Sequence, residues 1–497
     1  MRAVIVHGLE DAVAALAAAA AAECGVTLLS APGAGGYAGF GWWRALIAAA
    51  RAAVPDVAVE DVLDCDDLAG IAVEALHSGC PAIVFTGNDA QAGQLAALAA
   101  VCGARMLRAA PPAWILVALT SIGPFSLQIL LPSLPGLAVS FAVAPGTAQL
   151  ALTFYLVGVA LGQLLYGPLS DRHGRRPFAL AGLALFLIAS AGAVAVGSIF
   201  WLIAGRMLPA VGACSGMVLA RAMIRDCYPR DRAASVMAYV FMGMTVAPMV
   251  APAIGGMIDQ ALGWRAIFGL TAVVGAVLLV AVAARLPETL AAPQRMPGIA
   301  GFLRANLALL RRPAFGVFAG SFATSSGVFF AFLAGAPFVV VNGLGLPPTA
   351  YGVAFIVISL AYAGGNFVTA RLAQRVGVTW LLIAGTAVTF LGAALSLAAV
   401  LALPLSLGVV FGPPMLMALG NGVAQANAMA GAVSVRPKLA GTASGLSGAI
   451  QMAFGAVMTV LVGMTETGTG VATAAFMLAS ALACQALLLA GRRAALI

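Results

Sequence analysis

From Trp114 to the C-terminus the chain is a succession of apolar runs, separated by short segments that carry almost all of the charge. There are twelve, at roughly 113–137, 147–169, 177–196, 199–222, 234–258, 264–284, 313–336, 350–370, 379–399, 404–431, 440–463 and 470–490. About 20 residues wound as a helix, at about 1.5 Å each, match a hydrocarbon core about 30 Å thick. Lipid offers the backbone no hydrogen-bond partners, so only helices or closed barrels can cross it. A barrel would need alternating segments of about ten residues, and these are absent. The sequence therefore predicts a bundle of twelve membrane helices, spans 1 to 12. Only 8% of the residues are charged, against about 25% in soluble domains, which excludes an ordinary soluble enzyme.

Charge gives the orientation. Arg172, Arg175 and Arg176 lie between spans 2 and 3, and Arg221, Arg225, Arg230 and Arg232 between spans 4 and 5. Arg285, Arg295, Arg304, Arg311 and Arg312 fill the segment after span 6. Arg371, Arg375, Arg436, Lys438, Arg492 and Arg493 follow spans 8, 10 and 12. All of these fall on one side of the bundle, which the positive-inside rule makes cytoplasmic. Arg206, inside span 4, and Arg265, on the far side, are the exceptions. Trp114, Trp201, Trp264 and Trp380 all stand at span starts, where an aromatic belt belongs.

The spans also repeat. A slide of 203 residues superposes Gly162 on Gly365, Arg172 on Arg375 and Gly174 on Gly377; one of 206 superposes Gly216 on Gly422. Two six-span halves, 111–284 and 313–497, joined by a cytoplasmic linker at 285–312, are the natural reading, and such repeats belong to transporters that rock around a midplane site.

The loop between spans 2 and 3 reads Gly162-Gln-Leu-Leu-Tyr-Gly167-Pro-Leu-Ser-Asp171-Arg172-His-Gly174-Arg175-Arg176-Pro177. It resembles the signature loop of the major facilitator superfamily. Three further stretches resemble the Bcr/CflA-type drug-resistance branch of that family: Arg225-Asp226-x-Tyr228-Pro229-Arg230-Asp231-Arg232, Gly263-Trp264-Arg265-Ala-Ile-Phe268 and Leu286-Pro287-Glu288-Thr289-Leu290. The resemblance covers about residues 113–490. It implies a twelve-helix, six-plus-six fold that exports small amphiphilic compounds by proton antiport with alternating access. Gly167 would let span 2 approach a neighbour closely. Asp171, Arg172, Gly174, Arg175, Arg176 and Asp226 would form a latch that closes with the cytoplasmic face and breaks as it opens. The second copy, Arg371-Leu-Ala-Gln374-Arg375-Val-Gly377, has Gln374 where Asp171 aligns, a weaker latch.

Arg206 with Gly212 resembles the family's helix-4 pattern, which implies a role in substrate binding or proton coupling; the alternative is an arginine that snorkels to the surface. Pro248, Pro252, Gly255 and Gly256 in span 5 resemble the exporter hinge, with Ala251 where the motif begins with glycine. Gln128 in span 1 stands where drug exporters of this branch often carry an aspartate, so no residue is evident that would carry a proton. Gln128, Arg206, Ser325, Asn421 and Gln425 are the expected cavity lining, the last two sharing one helical face at i, i+4. Phe125, Phe329, Tyr155 and Tyr362 would surround them. With no acid among them, neutral or weakly anionic amphiphiles fit better than cations.

Residues 1–110 are different. They hold 5 basic and 11 acidic side chains, against 20 and 6 in the remainder. Short strands at 3–7, 26–30, 57–65, 82–86 and 105–108 alternate with alanine-rich helices, which predicts a small parallel α/β domain. Glu10 and Asp11 before the alanine run 12–22 argue against a secretion signal. His7, the loop 33–41, Asp64–Asp67 and 86–88 stand at strand ends, where ligands of such sheets bind. Gly33-x-Gly35-x-x-Ala38 is a degenerate dinucleotide fingerprint, but it follows the second strand rather than the first. Neither a cofactor nor a metal is expected.

The expected protein is a monomer of the bacterial-type inner membrane, with the N-terminal domain and the C-terminus cytoplasmic. Its partners are the lipid bilayer, a small amphiphilic substrate and, by resemblance, a proton. Nucleic acid is excluded because the basic residues belong to the membrane part. Two alternatives stay open: an uncoupled facilitator or importer of a metabolite, and a bundle gated by a ligand-sensing or enzymatic N-terminal domain.

Overall fold

The computed structural model describes residues 2–87, 89–108, 111–227, 230–290, 299–436 and 439–494. Asn88, Tyr228, Pro229, Arg295 and Lys438 lie outside the described residues, as do the side chains of Arg230, Asp231, Arg232 and Gln374.

The N-terminal part forms strands β1 (Arg2–Val6), β2 (Val26–Ser30), β3 (Val59–Asp64), β4 (Ala82–Phe85) and β5 (Arg105–Arg108). They lie side by side in chain order, each parallel to the next, with Leu28 paired to Val4 and Asp61. Parallel crossovers are right-handed, so this order carries every connecting helix to one face. Helices Leu9–Ala21, Gly39–Ala53, Ala69–His77 and Asp89–Val101 pack there in a row. Leu16, Leu28, Trp43, Leu63 and Phe85 make the core between sheet and helices. The other face carries a small patch of Leu29, Val62, Ala82 and Val84.

Burial pushes the Cys65 and Cys80 thiols up to about 12 and about 11, so neither holds reactive thiolate at neutral pH. Cys24 and Cys102 are exposed. A maleimide applied to the folded chain at pH 7 is expected to label Cys24 and Cys102 at least tenfold faster than Cys65 and Cys80, read by peptide mass spectrometry. Equal rates would contradict this packing.

The membrane helices take the numbers of the spans. They are α1 (Ala113–Gln128), α2 (Pro145–His173), α3 (Arg175–Val194), α4 (Ile199–Cys227), α5 (Arg230–Leu262) and α6 (Trp264–Arg285) in the first half. A linker helix, Ile299–Leu310, leads to α7 (Pro313–Phe338), α8 (Pro348–Val376), α9 (Val378–Ala402), α10 (Leu407–Ser434), α11 (Ala440–Thr465) and α12 (Val471–Arg493). Among the described residues eleven spans are long and apolar enough to cross a membrane, and α5 contributes the shorter apolar stretch Val246–Leu262. Val273, Val277 and Val280 on α6 are exposed at i, i+4 and i+7, an apolar stripe suited to lipid.

Prolines set the irregularities. α1 ends at Gln128 because Pro132 has no N–H for that carbonyl; a 3₁₀ turn, Leu131–Ser133, and a short helix, Leu134–Ser140, continue it. α4 breaks at Arg206, between Ile199–Gly205 and Met207–Cys227, because Pro209 leaves the Gly205 carbonyl without its helical donor. Three of the four tryptophans are exposed as a belt would be. Trp264 is the correction: it is buried under Phe141, with ring centroids 5.4 Å apart, and Arg265 lies 4.2 Å from its ring.

α2 against α11 and α5 against α8 make the seam between the two sets of six helices. At the end remote from the arginine-rich loops it is tight. Thr153 and Thr459 hydroxyls meet at 2.8 Å, Gln149 donates to the Ala334 carbonyl, and Thr349 donates to Gln260 at 3.1 Å. Backbones touch there as well: a Cβ on Gly256 would fall 2.8 Å from the Pro348 carbonyl oxygen. At the arginine end the seam includes one bond from Arg221 Nη1 to Ser444 Oγ, 3.3 Å.

Candidate functional site

The short loop after α2 turns on Gly174, whose φ of 102° belongs to the region that favours glycine. The turn aims the first N–H groups of α3 at a carboxylate. Glu288, just past α6, accepts from Arg175 N at 2.9 Å and Arg176 N at 3.0 Å. It also accepts from Thr289 N and Leu290 N, both at 2.9 Å. Helix N-termini carry unsatisfied donors and partial positive charge, so a carboxylate there is doubly suited. A Cβ on Gly174 would strike this carboxylate.

Arg175 is the hub of the cluster and is buried, with its side chain 5% exposed. Its Nη1 reaches Asp171 at 2.5 Å and Ser170 Oγ at 2.7 Å, and its Nε reaches Asp226 at 3.0 Å. Thr289 Oγ1 donates to the same Asp226 oxygen at 3.4 Å. Charge-assisted bonds of this kind are roughly twice as strong as neutral ones. Arg176 turns away and donates to the Ala283 carbonyl at 2.9 Å, and Arg172 is exposed. So the structure unites Asp171, Gly174, Arg175 and Asp226, adds Ser170, Glu288 and Thr289, and leaves Arg172 outside. The partners drawn here all belong to α2, α3, α4, α6 and the stretch after α6, within one half.

Gly167 is a further correction. A Cβ there would meet nothing within 4 Å among the described residues. Close approaches of α2 are made instead by Gly146, against the Gly463 backbone, Gly158, against the Met207 backbone, and Gly162, against Cys214.

In the second half Ser325, Asn421 and Gln425 come together. Ser325 Oγ donates to Asn421 Oδ1 at 2.5 Å, and Gln425 Nε2 donates to the same oxygen at 3.1 Å. Tyr362 donates to Gln425 Oε1 at 3.4 Å, and Phe329 stacks on Tyr362 with centroids 6.2 Å apart. A polar ladder thus joins α7, α10 and α8 beside an aromatic wall. Beside it, Gln451 Nε2 donates to Ser326 Oγ at 2.6 Å, tying α11 to α7. Sequence reasoning missed Gln451 and Ser326; the signal for the first is a long amide side chain within an apolar span.

In the first half Arg206 does not snorkel. It is 3% exposed, with its guanidinium 4.5 Å from the Tyr155 ring and 5.6 Å from that of Phe268. Its Nη2 donates to the Ser126 carbonyl of α1 at 3.2 Å. Tyr155 itself donates to the Gly123 carbonyl at 2.9 Å. Gln128 is buried where α1 ends, and its Oε1 has no partner.

α5 runs unbroken through Pro248 and Pro252. Gly255 lies against the Ile129 carbonyl of α1 and Gly256 against Pro348 and Thr349 of α8, so both glycines serve close packing.

Comparison with known proteins follows this geometry. A sequence model of the Major Facilitator Superfamily matches residues 116–460. An uncharacterized transporter of that type, YdgK of Bacillus subtilis, is 33% identical over 262 residues, 52% of this chain and 65% of its own length. A bicyclomycin resistance protein homolog of Haemophilus influenzae is 32% identical over 354 residues, 71% of this chain and 88% of its own. A chloramphenicol resistance protein of Pseudomonas aeruginosa is 34% identical over 266 residues, 53% and 60% of the two chains. The chain thus spans somewhat less than two thirds of the first and third of these relatives. Among solved structures, a bacterial homolog of the lysosomal transporter Spinster, inward-facing and occupied, superposes with a TM-score of 0.61 at 16% identity, over 77% of this chain and 96% of that one. This likeness shows the fold. The chain therefore belongs to the Major Facilitator Superfamily, and its relatives place it with the Bcr/CflA-type drug-resistance proteins rather than with any enzyme family.

Proposed function

We propose that this protein exports small amphiphilic compounds across a bacterial inner membrane by alternating access, as a proton antiporter. The observation that carries the reading is the polar ladder Ser325–Asn421–Gln425–Tyr362, placed among buried aromatic side chains of α7, α8 and α10. A few hydrogen-bonding groups in an apolar wall suit an amphiphile. Two relatives named for resistance to bicyclomycin and chloramphenicol support small drugs as substrates. The tight seam at the end remote from the arginine-rich loops agrees with one state of a rocking pair. The arginine-rich end would face the cytoplasm, with Asp171 and Arg175 as the gating latch and α5 as the hinge. Residues 1–110 would form a separate cytoplasmic unit ahead of α1.

One observation favours a second reading, in which no proton is exchanged. Among the described residues, the acids of the membrane part stand at the helix ends, and Gln128 occupies the place in α1 where an acid would serve. The test uses proteoliposomes carrying an internal pH dye, given an imposed gradient and then chloramphenicol or bicyclomycin. Proton movement that depends on drug is the expected result. Drug flux with no proton movement would transfer the lead to the uncoupled facilitator.

A further inference from the structure

Four acids of the described membrane part are held by this chain's own donors. Asp171 and Asp226 share Arg175. Glu288 is ringed by backbone N–H groups, and Glu466 accepts from Gly468, Gly470 and Thr473 at the start of α12. Asp259 lies beside Gly136 at the far end of α5, with the Ser133 hydroxyl next to it. Arg206 is the converse case, a buried cation whose recorded contacts are a carbonyl and two aromatic faces. Its Nε has no hydrogen-bond partner among the described residues. A guanidinium is always charged, and its planar fork matches a carboxylate better than any other group. A buried charge without a counter-ion is costly, and inside a membrane such residues mark ligand paths.

We infer that Arg206 is the recognition site for a carboxylate, and that the preferred substrate is an amphiphile with one carboxylate at the end of an apolar, aromatic-compatible body. The substrate supplies the counter-ion that α1 lacks. Tyr155 and Phe268, already against the guanidinium, would flank the carboxylate and exclude water, while the apolar body would extend toward the ladder of the second half. This deepens the transporter reading and rests on it.

Three probes that share a naphthalene body and differ in the head group test it: 1-naphthaleneacetate, 2-(1-naphthyl)ethanol and 2-(1-naphthyl)ethylamine. Binding to the full chain in nanodiscs is measured by calorimetry, and flux in proteoliposomes. The acetate is expected to bind at least tenfold more tightly than the alcohol, and the amine more weakly than both. Arg206→Gln should bring acetate and alcohol within twofold of each other, and Arg206→Lys should restore part of the preference. Ser126→Asp keeps the arginine but gives it a carboxylate from the chain; it should weaken the acetate at least tenfold more than it weakens the alcohol. Equal binding of acetate and alcohol by the unaltered chain overturns the inference, as does a preference that survives both Arg206→Gln and Ser126→Asp. If the alcohol is carried and the acetate refused, the carboxylate site falls and the transporter stands. If all three are neither bound nor carried while chloramphenicol is carried, the carboxylate site falls and the transporter stands; if chloramphenicol is not carried either, both readings fall.

Discussion

Arg175→Ala is expected to lower the thermal midpoint of the purified full chain by about 5 °C or more and to abolish transport. The side chain is buried and holds Asp171 and Asp226, which are 39% and 22% exposed. Removing the cation leaves two carboxylates facing one another at the mouth of the bundle. Breaking a buried pair costs about 3–5 kcal/mol, and the partial exposure of both acids puts this case near the lower figure. A loss of about 3 kcal/mol corresponds to several degrees in a protein of this size. Asp171→Asn is the companion measurement. It keeps a hydrogen-bond acceptor, and the residue is the more exposed partner, so its midpoint should move by less than about 2 °C. If Asp171→Asn is stable and still transports normally, the cluster is a structural brace and the latch is wrong.

Gly255→Val should be worse still, yielding a chain that is poorly assembled and inactive. A Cβ at Gly255 would overlap the Ile129 carbonyl of α1, and both sides of the contact are backbone. Neither can swing aside as a long side chain would, so α1 and α5 must separate. Overpacking costs about 1–3 kcal/mol where side chains can adapt, and more where they cannot. Gly269→Val on α6 supplies the control, because nothing stands within 4 Å of that position. Size-exclusion profiles in detergent and transport by the two variants check the contrast. A monodisperse, active Gly255→Val would show that the observed approach of α1 to α5 is not required.

The architecture was legible because its cause is crude. Lipid demands long apolar runs, and these stand out whatever the details of packing. The strand at 82–86 and its neighbours were legible through composition, while the helices they alternate with were alanine-rich enough to be told apart. What escaped were features set by the meeting of distant segments. Glu288 read as one acid in a charged linker; its work as a cap depends on Gly174, more than a hundred residues earlier, turning the start of α3 toward it. The link between Ser325 and Asn421 crosses two helices, although the Asn421–Gln425 pair followed from helical spacing alone. Gly167 shows the opposite failure, since a glycine in a motif was read as a close contact where there is open space. Trp264 shows it again, because standing at a span start does not fix which way the ring faces.

Gly174 has a counterpart in Gly377, which starts α9 with nearly the same backbone, φ 88° and ψ 154° against 102° and 153°. The counterpart carries no brace: a Cβ at Gly377 would meet nothing within 4 Å among the described residues, whereas one at Gly174 would strike Glu288. The two halves share a corner but not its stiffness. Under the alternating access proposed above, bending would be expected to gather at the α8–α9 corner, while the α2–α3 corner, pinned to the segment after α6, would move as one piece. In that cycle the first half would serve as the rigid beam and the second as its spring.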